Sequence, residues 1–310
     1  MEKFITICTV CCDDYEILNK NINIIEKRNN IAINWIIVIN QYEEKIEEKI
    51  LKQPNIKIIR GFNKYEIESI ALDHSIGLNK TIKHIKTKYA IFIDPDFFLL
   101  NTNLISKVVN HMHINQLDIF GVPWHPKWYT KFRYFPCSHC LFINFDKIEL
   151  SLLDFRPTII TWNRDMKYSS QSINQSKIKF IIKKILFVDF FKFLFFNRKK
   201  CSWDGDTTSR IYLNFFKKKL IKYEITDVLF DLNSDWKIPI NFKLNKIIEK
   251  ILPENLCYFP KKDKNIKYDK LLNSSVTKFD FETFFWKDEV FGFHVRGYPK
   301  LNRNKIKEIE

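Results

Sequence analysis

The chain has 310 residues, 29 of them Phe and only 6 Gly, and carries a formal net charge of +15. That length suits one large α/β domain or two small ones, and so aromatic a composition excludes extended disorder. The positive excess fits an anionic partner such as a nucleotide sugar, a phosphorylated glycan, a membrane surface or nucleic acid, and does not choose among them.

No charged n-region followed by an apolar stretch opens the chain at Met1-Glu2-Lys3, so a cytoplasmic location is expected. Seven cysteines, an odd number, fit reduced thiols. Cys8/Cys11 and Cys137/Cys140 have Cys-x-x-Cys spacing. Both pairs fall in or against strand-like runs, where an odd separation turns two thiols to opposite faces. The gap between the pairs also exceeds that of an ordinary zinc ribbon.

From the start, strand and helix alternate. Residues 3–10 read as a strand, and Asp13 and Asp14 can cap a helix running to Arg28. A second strand covers 33–40, a charged helix 43–52, and a third strand 55–60 closed by Gly61. A helix over 66–86 leads to a fourth strand. Repeated βα units of this kind imply a parallel sheet with right-handed crossovers, so the fold class is α/β with a mostly parallel central sheet flanked by helices.

The fourth strand carries the chain's most informative stretch, residues 88–100: Lys-Tyr-Ala-Ile-Phe-Ile-Asp-Pro-Asp-Phe-Phe-Leu-Leu. Five apolar residues run into Asp94 and Asp96, as in a strand buried on both faces. Ligands of such sheets bind just outside the carboxyl ends of the strands. Two carboxylates this close repel unless a positive charge joins them, and a hard divalent cation carrying a phosphate-bearing substrate would serve. Asp-Pro-Asp equally suits a turn with a helix N-cap.

A helix is predicted over 104–113, an apolar run over 117–122 and a strand over 140–145. Between them, 123–138 has neither helical nor strand period and reads as a long functional loop. Its Trp124, His125 and Trp128 have faces that could stack on a sugar acceptor, or could simply pack. Residues 177–200 are dense in Phe, but Lys183, Lys184, Asp189 and Lys192 interrupt a run too short to span a bilayer. A lid, a partner contact or membrane-surface docking fit it instead.

Three further constellations stand out. His74 sits within an apolar stripe of Ile67, Ala71, Leu78, Ile82 and Ile85, which favours a buried core histidine over a ligand contact. In Cys201-Ser-Trp-Asp-Gly-Asp-Thr-Thr-Ser-Arg, Asp206 can cap a helix over 207–217 and pair with Arg210. In Glu289-Val-Phe-Gly-Phe-His-Val-Arg, alternation puts His294 and Arg296 on one face, an imidazole able to complete a metal shell beside a phosphate-clamping fork.

The segment from Ser69 through Asp96 as a whole resembles the GT-A glycosyltransferases, the family 2-like group in particular, over about residues 3–145. The resemblance implies a single GT-A domain over 1–310, with a nucleotide-sugar-binding half over 1–100 and an acceptor half over 101–310 that carries an insertion at about 155–200. It implies a metal-dependent, inverting transfer of a sugar from a nucleoside-diphosphate sugar to a hydroxyl of a glycan or lipid-linked glycan. Asp96 would bind Mn²⁺ or Mg²⁺ and Asp94 the donor and metal edge, with His294 a further metal ligand. Asp206, or Asp204 after it, would deprotonate the acceptor. Asp13, Asp14, His74 and Arg296 would line the donor. Asn40 stands where the family often has a base-recognising Asp, which puts that contact in doubt. Peripheral contact with the inner face of the membrane through 177–200 is compatible, and no nucleic-acid motif is present.

Two rivals stand beside this reading. A nucleotidyltransferase of similar sheet would want a Gly-rich basic loop after strand one, and Val10-Cys-Cys-Asp-Asp-Tyr is acidic and without glycine. A basic nucleic-acid or membrane-surface binding protein would mass its charge on one face.

Overall fold

The computed structural model describes residues 4–12, 15–40, 50, 52–61, 70–125, 135–157, 207–218, 221–228, 281–287 and 289–295. Nearly all of the expected insertion (from 158 on), most of the helix over 43–52 and the whole Phe-rich segment 177–200 lie outside them.

The first half follows the predicted alternation. Strand β1 (Phe4–Cys11) pairs in parallel with β2 (Ala32–Ile39), and β2 with β3 (Ile56–Arg60). Strand β4 (Tyr89–Ile93) lies on the other side of β1, also parallel. All five β4 residues are buried, as a continuous apolar run demands when helices cover both faces. Helix α1 (Tyr15–Arg28) buries Ile17, Leu18, Asn21, Ile22, Ile24 and Ile25, one stripe at helical spacing. Helix α2 (Ile70–Ile82) crosses back to β4. It ends four residues short of the expected 86, because His84 and Ile85 already fold into a turn on Thr81 and Ile82 ahead of the strand. Gly77 lets α2 sit close on the sheet, since a Cβ there would meet the Val10 side chain at 2.8 Å.

Beyond β4 the direction changes. Strand β7 (Cys140–Asn144) runs antiparallel to β4, with Ile93 opposite Cys140. Among the described residues, strand β6 (Ile119–Gly121) and then β8 (Tyr223–Ile225) extend this to a seven-stranded sheet of order β3-β2-β1-β4-β7-β6-β8, in which β7 alone is reversed. The mostly parallel α/β class is therefore as expected. Helix α3 (Leu104–Ile114) matches its prediction to within a residue.

A second, four-stranded antiparallel sheet of order β5-β11-β10-β9 is formed by β5 (Phe97–Phe98), β9 (Asp227–Val228), β10 (Glu282–Trp286) and β11 (Glu289–His294). Because β5 follows Asp96 directly, the strand it recruits, β11, is delivered to the Asp-Pro-Asp turn. Gly292 permits that approach: a Cβ there would lie 2.7 Å from the Phe98 carbonyl oxygen and 2.8 Å from the Phe97 ring. Helix α4 (Ser209–Lys218) starts two residues later than expected, so Asp206 precedes it by too many positions to be its cap. Thr208 stands there instead, accepting from Tyr212 N through its carbonyl and donating its hydroxyl to Pro136 O.

Candidate active site at the carboxyl end of β4

Asp94 is the first residue past β4, and its carbonyl accepts from Phe97 N at 3.0 Å, closing a β-turn with Pro95 at its second position. The turn expected of Asp-Pro-Asp is therefore present. The helix cap expected with it is not, because strand β5 begins directly after Asp96. From the far side Asn21 of α1, itself buried, donates to Pro95 O at 3.1 Å and Phe97 O at 2.9 Å. The two carboxylates are thus held from both sides.

Three imidazoles surround them. The antiparallel register of β4 and β7 brings His139, one residue before β7, level with Asp94: Asp94 N donates to His139 O at 3.0 Å, and His139 Nδ1 donates to Asp94 Oδ2 at 2.6 Å. His294, the last residue of β11, sits opposite Phe97, with its Nε2 3.1 Å from Asp96 Oδ1 and 3.7 Å from Asp94 Oδ2. His74 of α2 places Nε2 3.3 Å from Asp94 Oδ1. Its side chain is 20% exposed, so the expectation of a core histidine is corrected: near the start of α2, the stripe that faces the core has reached the edge of the sheet, and the ring meets the strand tips.

Charge governs the rest. Burial would raise the Asp94 carboxyl, but the hydrogen-bonded His139, with His74 and His294 beyond, holds it well below the usual carboxylate range. Burial would lower His294, yet Asp96 at Nε2 and the fully buried Glu282 at Nδ1, 3.0 Å away, carry its pKa up to about 10. Glu282 lies directly across from His294 in the β10–β11 ladder. A carboxylate on one ring nitrogen turns the other nitrogen toward Asp96.

The remaining predicted residues divide. Asn40 is buried at the tip of β2 and donates its amide to Asp73 O at 3.2 Å, bracing β2 against α2. Trp124 and His125 are only 5% and 3% exposed, so neither offers a free face to a sugar. Trp124 stands edge-on to His139 at 4.3 Å, and the His125 ring stands perpendicular to Phe284 at 6.5 Å. Asp13, Asp14, Trp128, Asp204, Asp206 and Arg296 lie outside the described residues. Arg210, expected to pair with Asp206, meets Asp154 at 3.0 Å, and the expected pair itself lies outside the described residues. The paired-cysteine positions Cys8, Cys11, Cys137 and Cys140 are buried thiols.

Sequence reasoning missed His139, Glu282 and Asn21. The signal for His139 was its place at the head of an apolar run. It becomes visible only once that run is laid antiparallel to β4.

No family profile matches the chain, and no curated protein does. Solved structures that it resembles include the mannosyltransferase PcManGT from Pyrobaculum calidifontis in complex with GDP-Man and Mn²⁺, at 9% identity and TM-score 0.38, covering 49% of this chain and 47% of that one. They include the galactosyltransferase LgtC with donor and acceptor sugar analogs, at 11% identity and TM-score 0.39, covering 78% of this chain and 81% of LgtC. The glycosyltransferase GlyE of Streptococcus pneumoniae TIGR4 matches at 10% identity and TM-score 0.34, covering 74% of this chain and 46% of GlyE. The chain thus spans about half the length of the first and the last of these. Likenesses of this order carry no argument about activity, which rests on the site itself.

A divalent cation fits that site on its own chemistry. Asp94, His139 and His294 each offer a ligand atom, all within 4.8 Å of one another, and Asp96 borders His294. Asp94 Oδ1 is buried and, among the described residues, is approached by His74 Nε2 at 3.3 Å without a hydrogen bond. Anionic oxygens beside imidazole nitrogens are the donor set of a bound divalent ion.

Proposed function

We propose that the chain is a metal-dependent glycosyltransferase of the GT-A type, moving a sugar with inversion from a nucleoside-diphosphate sugar to a hydroxyl of a glycan or lipid-linked glycan. The observation that carries this reading is the Asp-Pro-Asp turn at the carboxyl end of a buried parallel strand, with His294 returned to it at 3.1 Å from Asp96.

Asp96 and His294 would hold a Mn²⁺ or Mg²⁺ ion, with Asp94 at its edge and toward the donor. When bound, that ion supplies positive charge against the charge developing on the departing diphosphate. Asp94 is rigid and ionised, which suits it to orient the donor without titrating near neutral pH. His74 stands on the α2 side of the same carboxylate, which supports a proposed role in contacting the donor. Asp13 and Asp14 follow β1, and Arg296 follows His294 by two residues, so these belong to the nucleotide and diphosphate contacts.

Asp206 is the proposed general base, with Asp204 behind it. Supporting this, the residue after Asp206 is tied to the cluster: Thr207 Oγ1 hydrogen-bonds Ser138 Oγ, next to His139. A carboxylate just ahead of α4 could take the proton from the attacking hydroxyl. Trp128 remains the proposed acceptor-stacking ring. We also propose a cytoplasmic enzyme that touches the membrane surface through 177–200. Among the described residues no helix is long and apolar enough to cross a membrane.

The test is a panel of nucleoside-diphosphate sugars screened for Mn²⁺-dependent thermal shift and slow donor hydrolysis. One donor should stabilise the protein only with the cation present. Asp206→Ala should keep that shift and lose transfer. A panel without any cation-dependent donor would refute the assignment.

A further inference from the structure

The Asp96, His294 and Asp94 set of the proposed function leaves His139 without a role, yet its ring addresses the same Asp94 oxygen. Its Nδ1 lies 2.6 Å from Asp94 Oδ2, and His294 Nε2 lies 3.7 Å from that atom. The two rings pack with centroids 4.2 Å apart at 33°. A first-row divalent ion with bonds of about 2.1 Å keeps ligand atoms roughly 3 Å apart at right angles and roughly 4.2 Å apart when opposed. The ligand atoms of Asp94, His139 and His294, all within 4.8 Å of one another, come within reach of one such ion after small adjustments.

Neither ring is free to swing away. His139 is fixed by the β4–β7 register through its own carbonyl, and Trp124 stands edge-on against it. His294 ends β11 and is gripped at Nδ1 by Glu282. Both side chains are almost wholly buried, which favours a fixed donor set over a solvated one.

Resting on the cation-site reading, we infer that His139 is a second imidazole ligand, its Nδ1 releasing to solvent the proton it gives Asp94 and turning the lone pair to the ion, and that the site therefore selects Mn²⁺, or a later first-row ion such as Co²⁺ or Zn²⁺, over Mg²⁺. Magnesium demands a near-ideal octahedron of oxygens and gives up its waters reluctantly. Imidazole nitrogen favours the transition ions and zinc. Each histidine added to a carboxylate site widens that difference.

The experiment uses the full chain in two measurements: calorimetric titration with MnCl₂ and with MgCl₂, and pulsed EPR of the Mn²⁺-loaded protein to count directly coordinated ¹⁴N. Wild type should bind Mn²⁺ at least about tenfold tighter than Mg²⁺ and show two imidazole nitrogens. His139→Ala should show one nitrogen and lose Mn²⁺ affinity about tenfold or more, with Mg²⁺ affinity nearly unchanged. His139→Asn can still donate to Asp94 while lacking the ring, so it guards against a folding defect and should behave as His139→Ala. A wild-type signal from one nitrogen, or an unchanged nitrogen count in both variants, would overturn the inference and leave the cation site standing. Absence of any Mn²⁺ binding to wild type would overturn the cation reading itself and this inference with it.

Discussion

Glu282 and His294 form a buried cross-strand pair, Oε2 to Nδ1 at 3.0 Å, and the other nitrogen of the same ring lies 3.1 Å from Asp96. A fully buried carboxylate is costly unless paired, and this one is spent on aiming a histidine. The strand that builds the second sheet and the group that completes the site are therefore one feature.

Glu282→Gln keeps the shape and a hydrogen-bond acceptor but removes the charge behind the ring. Mn²⁺ affinity should fall roughly 10–100-fold, as for other outer-shell partners of metal-binding histidines. Titration calorimetry checks this, with circular dichroism unchanged. Wild-type affinity in the variant would deny Glu282 that positioning role.

Gly292→Ala should separate β11 from β5, because the new methyl group would lie 2.7 Å from Phe98 O and 2.8 Å from the Phe97 ring. Overpacking of this kind costs about 1–3 kcal/mol. Denaturant unfolding should show that loss, and cation affinity should drop with it, since His294 rides on the displaced strand. A variant as stable as wild type would contradict the packing account.

His294 also sets a pH dependence. Its folded pKa of about 10 lies above the ordinary value of 6.5, so its contribution to stability in cation-free protein is complete below about 6.5 and fades as pH rises through about 10. A cation on Nε2 must displace that proton, so Mn²⁺ affinity should climb with pH across this window. Titrations in two buffers of different ionisation enthalpy should report proton release on binding. Equal heats in the two buffers would argue against Nε2 as the ligand atom.

Asp154 works in the opposite direction and away from the chemistry. It accepts from Arg156, Asn79 and Arg210, clamping the segment after β7 to α2 and α4. Burial opposes its ionisation, but Arg156, then Asn79 and Arg210, hold its pKa at about 2. With a folded pKa below the unfolded value near 3.9, this contribution is present above about pH 4 and lost as pH falls toward 2. Asp154→Asn should cost about 2 kcal/mol at neutral pH and flatten the acid limb of the stability curve. An unaltered acid limb would contradict it.

Much of this was legible from residue order alone. The continuous apolar runs of β1, β2 and β4 announce buried parallel strands, and Asp94 and Asp96 announce a site because a parallel strand ends there. His294 stood out as a possible ligand, but its return to the Asp-Pro-Asp turn was reachable only through resemblance, since nothing local in Phe-Gly-Phe-His-Val says that β11 pairs with β5. His139 stayed hidden for a directional reason. In a parallel reading the head of β7 lies at the far end of the sheet from Asp94, whereas the reversed strand brings it level. His74 misled because helical spacing reports which side a residue faces and not how close it stands to the sheet's edge. Trp124 and His125 misled because a loop rich in rings can fold its rings inward.

The most direct test of the central claim is calorimetric binding of UDP and GDP to wild type and Asp96→Asn, with Mn²⁺ and again in EDTA. Asp96 is 31% exposed at its side chain, so the substitution should leave the fold intact. The account predicts that wild type binds one of the two nucleotides only with Mn²⁺, and that Asp96→Asn loses this binding. Equal binding in EDTA, or undiminished Mn²⁺-dependent binding by Asp96→Asn, would contradict it.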